Sequence, residues 1–118
     1  MTEAENSLGY EDFRENQTNM KGNFAEIIAS GTPVLVDFYA EWCQPCKIQS
    51  PILAEVARAM NGRIRVIKID VDKNPAIAAR YQVQGVPTLA LFQRGQLVWQ
   101  KSGVTPAHEL KQVFDSFL

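Results

Sequence analysis

The sequence predicts one α/β domain with a central mixed β-sheet flanked by helices on both faces. Three observations carry this. Two β-rich apolar runs, Val34 to Tyr39 and Ile64 to Val71, alternate with segments of helical periodicity. A turn signal, Arg94-Gly95, separates two further short runs, and the chain closes on an amphipathic stretch after Pro106. A βαβ crossover makes its strands parallel and a hairpin makes its strands antiparallel, so the sheet is mixed.

Taken in order, residues 1–20 are polar, with Gly9, Tyr10 and Phe13 as the only anchors. They read as an arm over 1–22, with one helical turn around Tyr10 to Asn16, ahead of a domain over 23–118. Asn23 caps a short helix, Phe24 to Ala29, that ends near Ser30-Gly31. The run Val34 to Tyr39 suits a central strand covered on both faces. Beyond the cysteines, Ile48, Ile52, Leu53, Val56, Ala59 and Met60 recur at helical spacing, and Asn61-Gly62 stops the pattern. Pro51 lies inside that helix and predicts a kink. Ile64 to Val71 reads as a second buried strand and Asn74 to Tyr81 as a short helix. Thr88 to Gln93 and Leu97 to Lys101 pair around Arg94-Gly95. Pro106 opens a last helix with Leu110, Val113, Phe114 and Phe117 on one face.

At 118 residues and 46% hydrophobic content, the chain forms a core without disulfide staples or a structural metal. A net charge of -1, from 12 basic and 13 acidic residues, argues against a nucleic-acid partner, as does the lack of a basic face with interleaved aromatics. No apolar run approaches the roughly 20 residues a membrane span needs. The polar, acidic stretch Met1 to Ser7 lacks the features of a secretory leader and predicts a cytoplasmic protein. Prior removal of a leader would leave the periplasm open.

Both cysteines sit in Trp42-Cys43-Gln44-Pro45-Cys46, between the first buried strand and the long helix. So short a loop restrains little unfolded-chain entropy, so stapling explains the pair poorly and reactivity explains it better. Two intervening residues let the sulfurs meet across one helical turn. Cys43 falls at the helix N-terminus, where unpaired amides and the macrodipole favour a thiolate and so a nucleophile. Cys46, one turn deeper, is shielded until a mixed disulfide forms at Cys43, and then attacks it. Pro45 suits the first turn, where its missing donor costs nothing. Zinc binding is the rival reading, but four ligands are normal and only a distant His108 remains; the other rival is an inert buried pair.

Asp37 stands mid-strand, where an apolar side chain would bury more surface. Behind the helix start, such a group can take the proton from Cys46 as that thiol attacks. Lys68, in the next strand, is its expected neighbour. The alternative makes Asp37 a strand-end polar residue and Lys68 a snorkelling surface base. Local sequence favours a trans bond at Val86-Pro87. His108 reads as a solvated residue and Trp99 as sheet packing.

With these residues in view, the chain resembles the thioredoxin family over about 23–118. The matching words are Val36-Asp37-Phe38-Tyr39-Ala40-Glu41-Trp42-Cys43-Gln44-Pro45-Cys46-Lys47, Pro51, and Lys68-Ile69-Asp70-Val71-Asp72-Lys73-Asn74-Pro75. Val86-Pro87-Thr88-Leu89, Phe92-Gln93-Arg94-Gly95 and Gly103 follow in the family's order. The ordered set is far more specific than any one word.

The resemblance implies a thioredoxin fold and reduction of protein disulfides, with Cys43 attacking and Cys46 resolving. It implies Asp37 as buried proton acceptor beside Lys68, and a cis Pro87. The backbone of Val86 would pair with an extended substrate, and Trp42, Gln44, Pro45 and Gly103 would border the same groove. It also implies no cofactor beyond the Cys43–Cys46 disulfide, and a thioredoxin-reductase-like electron donor acting on a monomer.

Two departures stand out. Gln44 replaces the usual glycine and Tyr39 the usual tryptophan. Neutral Gln44 predicts a reductant, with a potential shifted from the typical member. Residues 11–22 also lack the apolar run of the family's first edge strand, which predicts that strand short, displaced or missing. Two other functions stay open: an extracytosolic oxidant, isomerase or maturation factor, and a redox-independent binding module.

Overall fold

The computed structural model describes residues 10–13 and 20–118. Its strands are β1 (Tyr10–Phe13), β2 (Val34–Tyr39), β3 (Arg65–Asp70), β4 (Thr88–Gln93) and β5 (Gln96–Ser102). Its helices are α1 (Met20–Ala29), α2 (Gln44–Met60), α3 (Pro75–Arg80) and α4 (Ala107–Phe117). The strands form one sheet in the order β1-β3-β2-β4-β5. β1 and β2 run parallel to β3, while β4 runs antiparallel to β2 and β5. The mixed sheet with helices on both faces is therefore present.

Strand alternation divides the core into two layers. On one face Leu35, Val66, Leu89 and Leu91 pack against Leu53, Val56 and Ala57 of α2 and Leu110, Val113 and Phe114 of α4. On the other, Val34, Val36, Phe38, Ile67 and Ile69 pack against Phe24 and Ile28 of α1 and Ile77 of α3. β2 is covered on both sides, as its near-continuous apolar run requires. Leu35 faces α2, so Asp37, two residues on, shares its side.

Local signals set several boundaries. Asn61, at φ 48°, caps α2 in the left-handed region, and its amide meets the carbonyls of Ala57 and Arg58. Arg94 and Gly95, at φ 50° and 85°, form the hairpin turn, where two positive φ values match the strands' twist. Trp99 packs against the α2–α4 layer, and His108 is exposed.

Some expectations change. Tyr10–Phe13 is a strand paired with Val66 to Ile69, where the sequence predicts a helical turn; the ladder, not local propensity, decides its state. The first edge strand is thus short rather than missing. α1 starts at Met20, ahead of the expected cap at Asn23. α2, by contrast, keeps Pro51 inside it and ends at Met60 as expected. Phe117, expected on the buried face of α4, is partly exposed near the chain end. The rest of the predicted arm and of its helical turn lies outside the described residues.

Candidate functional site: a disulfide at a helix start

Cys43 and Cys46 are joined by a disulfide, with Cα atoms 5.3 Å apart. Cys43 is the N-cap of α2, and its Sγ accepts the backbone N–H of Cys46 at 3.1 Å. The sulfur thus fills the role a serine or aspartate oxygen usually fills at a cap. Gln44 and Pro45 form the first turn, where proline's missing N–H leaves no bond unmade. Both stand exposed at the surface.

The expected difference in access between the two cysteines is not visible in residue burial. Cys43 is 3% exposed and Cys46 4%, and both pack with Ala40, Tyr39, Val71 and Val86. What separates them is position: one sulfur caps the helix and the other lies within its first turn.

Trp42, just before the pair, is 71% exposed. Its indole N–H donates to Asp72 Oδ2 at 2.9 Å, fixing the ring over the β3–α3 turn. That turn is held by buried Asp70, whose Oδ1 accepts the amides of Asp72 and Lys73. The sequence reading contained Asp72 within a matching word but gave it no part.

Asp37 lies behind the helix start and is 1% exposed, so it is not a strand-end surface residue. It pairs in register with Lys68 across the parallel β2–β3 ladder. Both line an open cavity of about 410 Å³ with Cys46, Tyr39, Lys47 and Pro51. The Lys68 ammonium lies 4.3 Å from the centroid of the Tyr39 ring, so the departure at Tyr39 supplies a cation–π partner. Lys68 is half-buried and lines the cavity.

The Val86–Pro87 peptide bond is cis, as the resemblance implies and against the trans geometry that local sequence alone favours. Val86 packs against the cysteines. Gly103, at φ 93°, donates its N–H to Pro87 O at 2.8 Å, so the loop after β5 lies against the proline. The predicted residues Trp42, Gln44, Pro45, Val86, Pro87 and Gly103 therefore surround one end of the sheet near the disulfide.

Sequence reasoning missed the link between this loop and α2. Gln49 and Thr105 are both 0% exposed. The Gln49 amide donates to Thr105 O at 3.0 Å, and its oxygen accepts the Thr105 N–H at 2.7 Å. Among the described residues, no group of three or more His, Cys, Asp or Glu side chains is arranged to hold a metal ion, and no helix is long and apolar enough to cross a membrane.

Comparison with known proteins agrees with this geometry. The family profile described as Thioredoxin matches residues 15–116. A thioredoxin-like protein of Synechocystis sp. is 52% identical over 97 residues, covering 81% of this chain and 92% of its own. Thioredoxin 1 of Chlorobaculum tepidum is 45% identical over 86 residues, covering 73% and 85%. Among solved structures, a mutant thioredoxin from Halobacterium salinarum superposes with a TM-score of 0.79 at 34% identity, covering 93% of this chain and 91% of its own.

Proposed function

Because the chain belongs to the thioredoxin family and is a thiol–disulfide oxidoreductase with a redox-active Cys43–Cys46 pair, we propose that it reduces disulfides in protein substrates. The observation that carries the reading is the Cys43 sulfur at the N-cap of α2, accepting the Cys46 amide. That amide and the helix dipole favour negative charge at this sulfur, and a thiolate is the attacking species.

In the reduced protein, the Cys43 thiolate attacks one substrate sulfur. A Cys43–substrate bond forms, the substrate S–S bond breaks, and one substrate thiolate leaves. Cys46 then loses its proton and attacks Cys43 Sγ. The internal disulfide forms, and the second substrate sulfur departs and takes up a proton. Two electrons have passed from the dithiol to the substrate, and the disulfide is itself the redox group. A reductase of the kind that serves this family returns the two electrons.

Asp37 is the proposed acceptor of the Cys46 proton, since both line one cavity, and Lys68 is its charged neighbour there. Val86 is the proposed backbone partner of an extended substrate, with Trp42, Gln44, Pro45, Pro87 and Gly103 as the borders of the groove. The same reading makes 23–118 the body of the catalytic domain, with β1 of the expected arm serving as its edge strand. A reductant of this kind suits the cytoplasm, which keeps thiols reduced.

Insulin reduction tests the proposal. With dithiothreitol as recharging agent, the protein is expected to precipitate insulin chains far faster than dithiothreitol alone, and Cys46→Ser to accumulate substrate bound through Cys43. A wild-type rate no greater than the dithiothreitol background would remove the enzymatic reading. A reduction potential well above that of the glutathione couple would point to an oxidant or isomerase instead.

A further inference from the structure

We propose that Gln49 is a positioning residue for the substrate groove, clamping the Gly103–Thr105 loop to the helix that carries the cysteines. The inference rests on the groove reading above and adds a residue that lies outside the groove.

Gln49 follows Cys46 by three residues, so both occupy one face of α2, and both are buried. A position on this face between Cys46 and Leu53 ordinarily takes an apolar side chain. Here a carboxamide is completely enclosed, and a buried amide is tolerated only when its donor and acceptor are both used. They are used on one residue, Thr105, whose N–H and C=O both bond to Gln49. The side chain thereby imitates a neighbouring strand and satisfies a backbone segment that has left the sheet at Ser102.

The other end of the same loop is tied elsewhere. Gly103 donates its N–H to Pro87 O at 2.8 Å, and Thr105 Oγ1 donates to Gly103 O at 3.3 Å. A continuous set of bonds therefore runs from α2 through Gln49, Thr105 and Gly103 to Pro87, next to Val86. Val86 itself packs against the cluster of Ala40, Cys43 and Cys46. The disulfide and the backbone proposed to receive the substrate are thus held to one another on two sides, by direct packing at Val86 and by the Gln49 clamp.

Removing the clamp leaves a peptide N–H and C=O unpaired in an enclosed site, so the loop is expected to move until water reaches them. A small disulfide needs only the sulfurs, whereas a protein substrate also needs the groove. The test uses Gln49→Met, which keeps length and apolar fit on α2 but removes both bonds. Rates are measured with insulin and with the small aromatic disulfide dithiobisnitrobenzoate, and amide exchange is followed at Thr105. The expected result is a ratio of kcat/KM for insulin over the small disulfide about tenfold below wild type, mostly through KM, with faster Thr105 exchange. An unchanged ratio, whether both rates hold or both fall together, overturns the proposal.

Should Gln49→Met not fold, the wild-type protein still decides. Its Thr105 amide is expected to exchange as slowly as the amides of the α2 core, and exchange at the rate of an exposed loop would refute the clamp. Failure of wild-type insulin reduction would strike the functional reading alone and leave this exchange result standing.

Discussion

Replacing Asp37 by asparagine separates chemistry from packing, because the two effects carry opposite signs. The side chain keeps its shape and loses its capacity to take a proton. A positioned general base is worth about 10²–10⁴-fold in rate, equivalent to roughly 2.7–5.4 kcal/mol on the barrier. The resolving step should slow by at least the lower of those factors, while attack by Cys43, which does not use Asp37, stays near its wild-type rate. Stability should move the other way. At 1% exposure, Asp37 bears the cost of taking an ionisable group out of water. A neutral amide loses less on burial, so a gain of about 1 kcal/mol, or roughly 4 °C in melting temperature for a domain of this size, is expected. Stopped-flow reduction of dithiobisnitrobenzoate resolves both steps, since attack releases one coloured thiol and resolution releases the second. A second phase within about twofold of wild type would exclude Asp37 as the base. A slower second phase together with a lowered melting temperature would instead show a damaged core.

Two further outcomes follow from the fold around the site. Gly103→Ala places a side chain at φ 93° with nothing within 4 Å, so the expected loss of about 1–2 kcal/mol comes from the backbone and not from a clash. Urea unfolding measures it, and an unchanged midpoint would contradict it. Leu53→Ala, on the fully buried face of α2, should cost about 2–5 kcal/mol by the same assay, and a loss below about 1 kcal/mol would mean that the α2–α4 layer collapses around the gap.

The redox pair was readable because its determinants are local. Cys43 caps a helix whose first turn, Gln44-Pro45-Cys46, and whose stop, Asn61-Gly62, are written in adjoining residues. β2 and the hairpin at Arg94-Gly95 were equally plain. β1 was not, since Tyr10–Phe13 becomes a strand only by pairing with a segment more than 50 residues away. Gln49 was hidden for the same kind of reason. A glutamine in an amphipathic helix reads as part of the wet face, and only a partner 56 residues on turns it into a buried link. The isomer at Pro87 was invisible to local preference and came from resemblance to the family. The near-equal burial of Cys43 and Cys46 was not legible because helix position alone does not show what packs over a cap.

The outer strands of a sheet carry unpaired backbone groups that can recruit any extended chain. Here one rim, β1, is four residues long, and the other, β5, ends in exposed Lys101 and Ser102 and meets β4 with a shifted register beside Leu91 and Phe92. Short, charged and irregular rims are poor templates for stray strands. The protein thereby guards against aggregation along the borders of the sheet, while the backbone at Val86, proposed above to pair with substrate, belongs to neither rim.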